Sequence, residues 1–282
     1  MKSKTDLRPS PIAGLWYSSN PLRLGGEIDH YLDEAQLPPL EGQVVAVIAP
    51  HAGHRYSGRT AGYAFRAVRG RAPRLVAVLS PFHDYHPAAM LTSAHAFYNT
   101  PLGSLEVDRQ SLEQIDKMLV ENQLSRMYQI SHDHEHSLEI ELPFLQRALK
   151  SPFSLLPLML RTRSPEVLRL LGECLAQVLA AQDALLVAST DLSHFYPLQA
   201  AEKFDQFMLQ QIEAFSPQGV LEAEASGRGF ACGAGGVAAA LWAARALGGT
   251  RVVILHHSTS ADETGDTSSV VGYGAAVVLK PA

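Results

Sequence analysis

Two cysteines in 282 residues are too few to build a disulfide framework, and the shortage fits a reducing compartment. No apolar run approaches the length that crosses a bilayer. The opening MKSKTDLRPSP carries two lysines with no apolar core behind them, so it does not read as a secretory signal. A cytoplasmic protein that does not engage a membrane is expected. Basic residues are also in short supply: 23 Lys and Arg stand against 28 Asp and Glu, for a formal net charge of -5. The densest basic stretch, Arg66 to Arg74, reads as a solvated loop, so a nucleic-acid partner is not expected, because phosphate neutralisation needs a basic face. What remains is ordinary for a folded globular chain, with 46% hydrophobic and 18% charged residues.

Apolar patterning alternates between two periods along nearly the whole sequence. Strands are predicted over Val44 to Ala49, Leu75 to Ser80, Phe153 to Leu160, Ala184 to Ser189, Arg251 to His256 and Val270 to Leu279. Helices are predicted over Ser57 to Val68, Ser111 to Glu121, Pro165 to Ala181, Ala200 to Phe215 and Gly235 to Leu247. Ser137 to Leu149 also reads as helical, with Pro143 marking a kink or a late start. Such alternation implies an α/β fold, an α/β/α layered sandwich around a mixed, largely parallel sheet. The mixed character comes from Ala88 to Ser93 and Gly103 to Val107, short runs bounded by turn residues that suggest an antiparallel excursion. No linker, repeat or low-complexity segment interrupts the chain, so residues 1–282 are read as a single domain.

Chemistry gathers where the strand runs stop. VVAVIAPHAG ends at His51, LVAVLSPFH at His83, LLVASTDLSH at His194, and GFACGAGG carries Cys232 just before a helical pattern. Carboxyl ends of strands converge on one crevice in α/β sheets, so two imidazoles and a thiol arriving there suggest a metal site at His51, His83 and Cys232. A helix N-terminus at Cys232 favours the thiolate, the form that coordinates a metal. A small cysteine packed in a glycine-rich turn explains the same pattern without a ligand. Gly53 and Gly58 are expected to let the backbone turn around His51, with His54 and Arg55 in an outer shell or exposed, and Asp84 is expected to orient an imidazole. In His132-Asp133-His134-Glu135-His136-Ser137-Leu138-Glu139, His136 and Glu139 share one side of a helix and are expected to face the site, although a solvated cap accounts for the charge density as well. Asp191 is expected to orient His194, whose imidazole titrates near neutral pH and suits acid/base work. Ser193 lacks the G-x-S-x-G setting of a hydrolase nucleophile. Cys174, in an apolar helical pattern, reads as an inert core residue.

Taken in order, APHAG, a PxH after a strand, DxEHSxExxLPFLQ, STDLSH, a CG before a helix and SVVGYGAAV resemble the Memo family, named for a mediator of ErbB-driven cell motility; its prokaryotic relatives are called AmmeMemoRadiSam system protein B. The resemblance runs from about Arg8 to Val278. It implies a fold similar to the class III extradiol ring-cleaving dioxygenases, with a non-haem Fe(II) site; a soft sulfur ligand makes copper or zinc an alternative. His51, His83 and Cys232 match the metal-binding positions, and His136, Asp191 and His194 match other pocket residues. Departures are visible: Leu15-Trp16-Tyr17-Ser18 replaces the usual xFYP, Phe82 and Asp84 flank His83, and Glu141 stands where certain relatives place histidine. The resemblance implies an oxidoreductase of dioxygenase type acting on a small phenolic molecule, with a radical-SAM protein as pathway partner. The thiolate in place of a carboxylate points instead to a non-catalytic metal-binding or redox-responsive interaction protein. A metal-dependent hydrolase using His194 as base ranks below both.

Overall fold

The structure, a computed structural model, describes residues 6–281; the first five residues of the opening stretch lie outside it. In chain order, β1 (Leu7–Arg8) leads to α1 (Pro21–Glu34), β2 (Gln43–Ala49), α2 (His54–Arg66), β3 (Leu75–Pro81), β4 (Met90–Ser93), β5 (Phe97–Thr100) and β6 (Gly103–Glu106). Then come α3 (Arg109–Glu121), β7 (Tyr128–Ile130), α4 (Glu141–Ala148), β8 (Ser154–Leu160), α5 (Pro165–Ala180), β9 (Ala184–Ser189) and β10 (His194–Tyr196). The chain closes with α6 (Leu198–Glu213), α7 (Pro217–Ala225), α8 (Ala234–Ala246), β11 (Arg251–Thr259), α9 (Ala261–Thr264) and β12 (Val270–Lys280).

Continuous apolar runs make the central strands. Every residue of β3 is buried, as are six of the seven in β2, which requires cover on both faces of the sheet. Helices α1, α2 and α4 pack on one another, with α2 against β2 and β12, while α8 lies on β2, β3, β8 and β9 and packs against α5. The fold is α/β with a mixed sheet, in the order β10-β12-β2-β9-β3-β8-β4-β7, with β11 outside β12. Within this sheet parallel pairing is confined to the centre, β2–β9–β3–β8, and to β4–β7, so the sheet is mixed and not largely parallel as expected. β12 runs antiparallel to β2, β10 and β11, and β4 antiparallel to β8. The expected excursion is therefore real at β4. The second run differs: β6 pairs with β5 and joins β1 in a separate three-stranded sheet.

Local chemistry explains most element ends. Ser164 accepts a hydrogen bond from the Val167 amide ahead of Pro165, a capped start with proline where its missing N–H costs nothing. The Ser137 to Leu149 helix starts late, at Glu141, which puts Pro143 in its first turn, where proline is tolerated. Three helices absent from the sequence reading are α1, α7 and the short α9. In α1 the buried face is a narrow stripe of Leu24, Ile28 and Leu32, and its cap is Asn20, which accepts from Leu22 and Arg23. Gly58 does not serve a turn as expected. It lies inside α2, and a Cβ there would collide with the Tyr31 ring of α1, so its smallness lets the two helices approach.

Because β2, β3 and β9 are parallel neighbours, their carboxyl ends lie along one edge, and the segments beginning at Pro50, Phe82 and Thr190 leave the sheet together. Gly233 brings the start of α8 to the same edge. Any Cβ at Gly233 would overlap the Ser189 carbonyl and the Thr190 side chain. Among the described residues, no helix is long and apolar enough to cross a membrane.

Candidate metal centre

Three imidazoles meet at that edge. His51, His83 and His136 each offer a nitrogen, and these atoms lie within 4.8 Å of one another. His51 stands edge-on to both other rings at centroid distances of 5.4 Å, and His83 stacks on His136 at 4.7 Å. The Cys232 sulfur is not part of this mutual group but sits 3.0 Å from His51 Nε2. His136, expected as a neighbouring pocket residue, thus stands among the candidate ligands, while Cys232 touches the group through His51. Among the described residues, this is the cluster of His, Cys, Asp and Glu side chains that has metal-holding geometry.

Each imidazole is held from behind. His51 is 1% exposed, and its Nδ1 lies 2.8 Å from Ser189 Oγ, so Nε2 is the nitrogen facing the thiol. His83 is oriented by Glu135, not by Asp84. Its Nδ1 is 2.9 Å from Glu135 Oε1, and its backbone amide donates to Glu135 Oε2 at 2.6 Å. The same carboxylate approaches His136 Nδ1 at 3.5 Å. Ligating histidines characteristically rest on a carboxylate or another polar group, which fixes the tautomer and ring orientation.

Burial and charge set the protonation states. Burial holds His51 well below the usual imidazole range, and the neighbouring His136 and His83 add to this; His136 is lowered to about 4, again chiefly by burial. Burial pushes His83 the same way, but the bond to Glu135 and its charge outweigh it, so His83 is raised. Glu135 mirrors this: burial would raise it, yet His83 holds it well below the usual carboxylate range. Burial pushes the Cys232 thiol far up, and the charge of Asp191 adds to this, so the metal-free site holds a thiol instead of the thiolate that a helix N-terminus favours.

Several expectations need correcting in detail. Asp191 does not hold His194. Its Oδ1 accepts from the backbone amides of His51 at 2.7 Å and Ala52 at 3.3 Å, fixing the loop that carries His51, and burial raises its carboxyl to about 7. His194 instead donates from Nδ1 to the Leu192 carbonyl at 2.9 Å, leaving Nε2 unengaged by that bond, and burial lowers its pKa. Glu139 faces away from the centre because residues 137–140 are turn and not helix. It accepts from Arg8 at 2.7 Å and from the Tyr17 hydroxyl at 2.7 Å. His54 is buried, with Nε2 donating to the Ile140 carbonyl at 3.4 Å, and burial lowers it to about 4. Cys174 is buried in α5, as its pattern implied.

A cleft of about 560 Å³ is lined among others by Trp16, Arg55, Tyr56, Phe195 and Tyr273, and the clustered imidazoles stand outside its lining. Trp16 connects the two, with its ring 4.2 Å from that of His136. Phe195 is 75% exposed on a left-handed backbone, φ 63°, a conformation uncommon for a bulky residue, and presents its ring at the cleft. Ser189, Glu135, Trp16 and Tyr273 escaped the sequence reading. All four lie inside motifs already quoted, but nothing in spacing alone shows which neighbour a side chain meets.

Comparison with known proteins agrees over nearly the whole chain. A family model described as Memo-like protein matches residues 8–277. A MEMO1 family protein of Nitrosopumilus maritimus is 32% identical over 274 residues, covering 95% of this chain and 98% of its own. One from Methanopyrus kandleri is 30% identical over 282 residues, covering 96% and 98%. Another, from Methanothermobacter thermautotrophicus, is 32% identical over 276 residues, covering 95% and 98%.

Proposed function

The chain belongs to the Memo-like protein family, and from that membership and the clustered imidazoles we propose a metal-binding protein of non-haem iron type with oxidoreductase activity resembling that of extradiol dioxygenases. One observation carries the reading: three histidine nitrogens within 4.8 Å of one another, with a thiol 3.0 Å from one of them. The donor set fits a transition metal. Neutral imidazoles suit iron, copper and zinc, and a sulfur donor shifts preference toward softer ions. His51 and His83 are the proposed core of the site, with Cys232 and His136 flanking them. When bound, a ferrous ion supplies redox and Lewis-acid chemistry that side chains lack.

The residues around it have separable tasks. Glu135 aims His83 and Asp191 fixes the loop of His51, so both rings are pre-set before any ligand arrives. His194, neutral and with Nε2 free of its Leu192 bond, is the proposed base for a phenolic proton. The aromatic walls given by Trp16, Tyr56 and Phe195 suit a flat phenolic molecule, and Arg55 at the rim suits one that carries an anionic substituent. A radical-SAM protein remains the proposed pathway partner.

Purified anaerobically, the protein takes up about one Fe(II) per chain, and alanine at His51 or His83 removes that uptake. Catechol-like compounds then consume dioxygen only with iron loaded, and His194→Ala stops consumption while sparing uptake. Uptake without turnover across a broad phenolic panel favours the second reading, a redox-responsive metal-binding protein, for which the thiol beside His51 speaks. Equal uptake by wild type and the His51→Ala, His83→Ala double variant removes both.

A further inference from the structure

Behind His51 lies a hydroxyl with three close neighbours. Ser189 Oγ is 2.7 Å from the Ser137 carbonyl, 2.8 Å from His51 Nδ1 and 2.6 Å from Glu141 Oε1. A serine hydroxyl has one proton to give and two lone pairs to fill. The Ser137 carbonyl can only accept, so it takes that proton. Both remaining contacts are then short and without a hydrogen unless His51 Nδ1 and Glu141 Oε1 each carry one and donate to Ser189. All three short contacts are hydrogen bonds together only in one arrangement, with His51 as the Nδ1–H tautomer and Glu141 as a neutral acid.

We propose that Glu141 is a positioning residue that, through Ser189, locks His51 with its proton on Nδ1 and its Nε2 lone pair turned to Cys232 and the ligand cluster. An independent observation agrees with the neutral acid. Glu141 is 1% exposed, and among the described residues its second oxygen, Oε2, has no hydrogen-bond partner. An ionised carboxylate with one bare buried oxygen is far more costly than a neutral acid there. Burial accordingly holds the Glu141 carboxyl well above the usual range, and the nearby Asp191 charge adds to this against the Ser189 bond. With its proton on Nδ1, His51 presents the Nε2 lone pair toward the Cys232 sulfur, 3.0 Å away.

What the lock is for rests on the metal-binding reading, but its existence does not. The test therefore has two arms. In the metal-free protein, a long-range nitrogen–proton spectrum, with the His51 signals assigned by their loss in His51→Ala, should show Nδ1 protonated. An infrared spectrum in mildly alkaline buffer should show a protonated-carboxyl band that disappears in Glu141→Gln. That variant keeps an N–H to donate to Ser189, so it should retain the His51 tautomer and bind Zn(II) within about threefold of wild type, whereas Ser189→Ala should lose the tautomer preference and weaken Zn(II) roughly ten- to a hundredfold. Glu141→Met, which fills the space without a donor, should fall between them. A wild-type spectrum with His51 protonated on Nε2, or no carboxyl band assignable to Glu141, overturns the proposal. If both signatures appear and Zn(II) does not bind at all, the lock stands and the metal-binding reading fails.

Discussion

Two polar clusters share the segment 133–139, one buried and one partly open to solvent, and they differ in what they leave over. The first centres on Arg8, 1% exposed, which donates to Asp133 at 2.5 Å, to Glu139 at 2.7 Å and to the Glu135 carbonyl at 2.7 Å, with its guanidinium over the Tyr98 ring at 4.9 Å. Tyr17 completes it by donating to the other Glu139 oxygen. One guanidinium serves two carboxylates, and most polar atoms are used. The second cluster is His51, His83 and His136, the last of them in that segment, where Ser189 and Glu135 fix the His51 and His83 rings from their Nδ1 sides and His51 Nε2 faces a thiol. A closed network holds the loop 133–139 to the N-terminal strand, while an open one has coordination capacity to spare. Saturation separates scaffold from site more reliably than residue type, since both clusters draw on acidic motifs in the same sequence window.

The sharpest way to break the comparison is Arg8→Ala. It strands two buried carboxylates, and stability should drop by about 3–5 kcal/mol in chemical denaturation. Arg8→Met should lose no less, because the charges stay unpaired. A loss under about 1 kcal/mol would place Arg8 with surface ion pairs.

Glu135→Gln comes next, and it touches the open cluster from its anchored side. Metal affinity should fall roughly ten- to a hundredfold by chelator competition, with the fold retained. An unchanged affinity would mean that the His83 ring is held by packing alone.

Acid provides a graded comparison. His54 and His136 each sit at about 4 in the folded chain against an ordinary 6.5. Between those values the unfolded state binds protons that the native state refuses, so stability rises with pH there and is lost as pH falls from 6.5 toward 4, by up to about 1.4 kcal/mol per pH unit for each histidine. His83 acts in the opposite sense: raised by Glu135, it adds stability that is present below 6.5 and lost as pH climbs through its folded value. His54→Leu should flatten the acid slope measured in denaturant; an unaltered slope would assign the loss to other groups.

The smallest effect belongs to Asp84. Because Glu135, not Asp84, orients His83, Asp84→Asn should leave metal affinity within about twofold, well below the range for a residue bonded to a ligand.

How much of this was legible beforehand follows from the kind of signal each part leaves. Buried parallel strands write long apolar runs, so β2, β3, β8 and β9 and the histidines that follow β2 and β3 stand out from sequence. Helix α1 does not, since its buried stripe is three residues wide and a Gly-Gly pair interrupts it. Cys232 was legible as a neighbour of the centre because a glycine-rich turn before a helix marks close approach, which Gly233 makes against β9. The partners of Glu139 and Glu141 were not. Helical spacing sends Glu139 toward His136, but the turn at 137–140 sends it to Arg8, 131 positions away, and the Glu141 contact with Ser189 spans 48. Long-range polar pairing leaves no periodicity to read.

Anomalous diffraction from crystals of the iron-loaded protein tests the central claim most directly. One ion should lie within about 2.0–2.3 Å of the inward nitrogens of His51 and His83 and of a further donor from His136 or Cys232. A peak elsewhere, or none at the imidazoles under saturating iron, would contradict it.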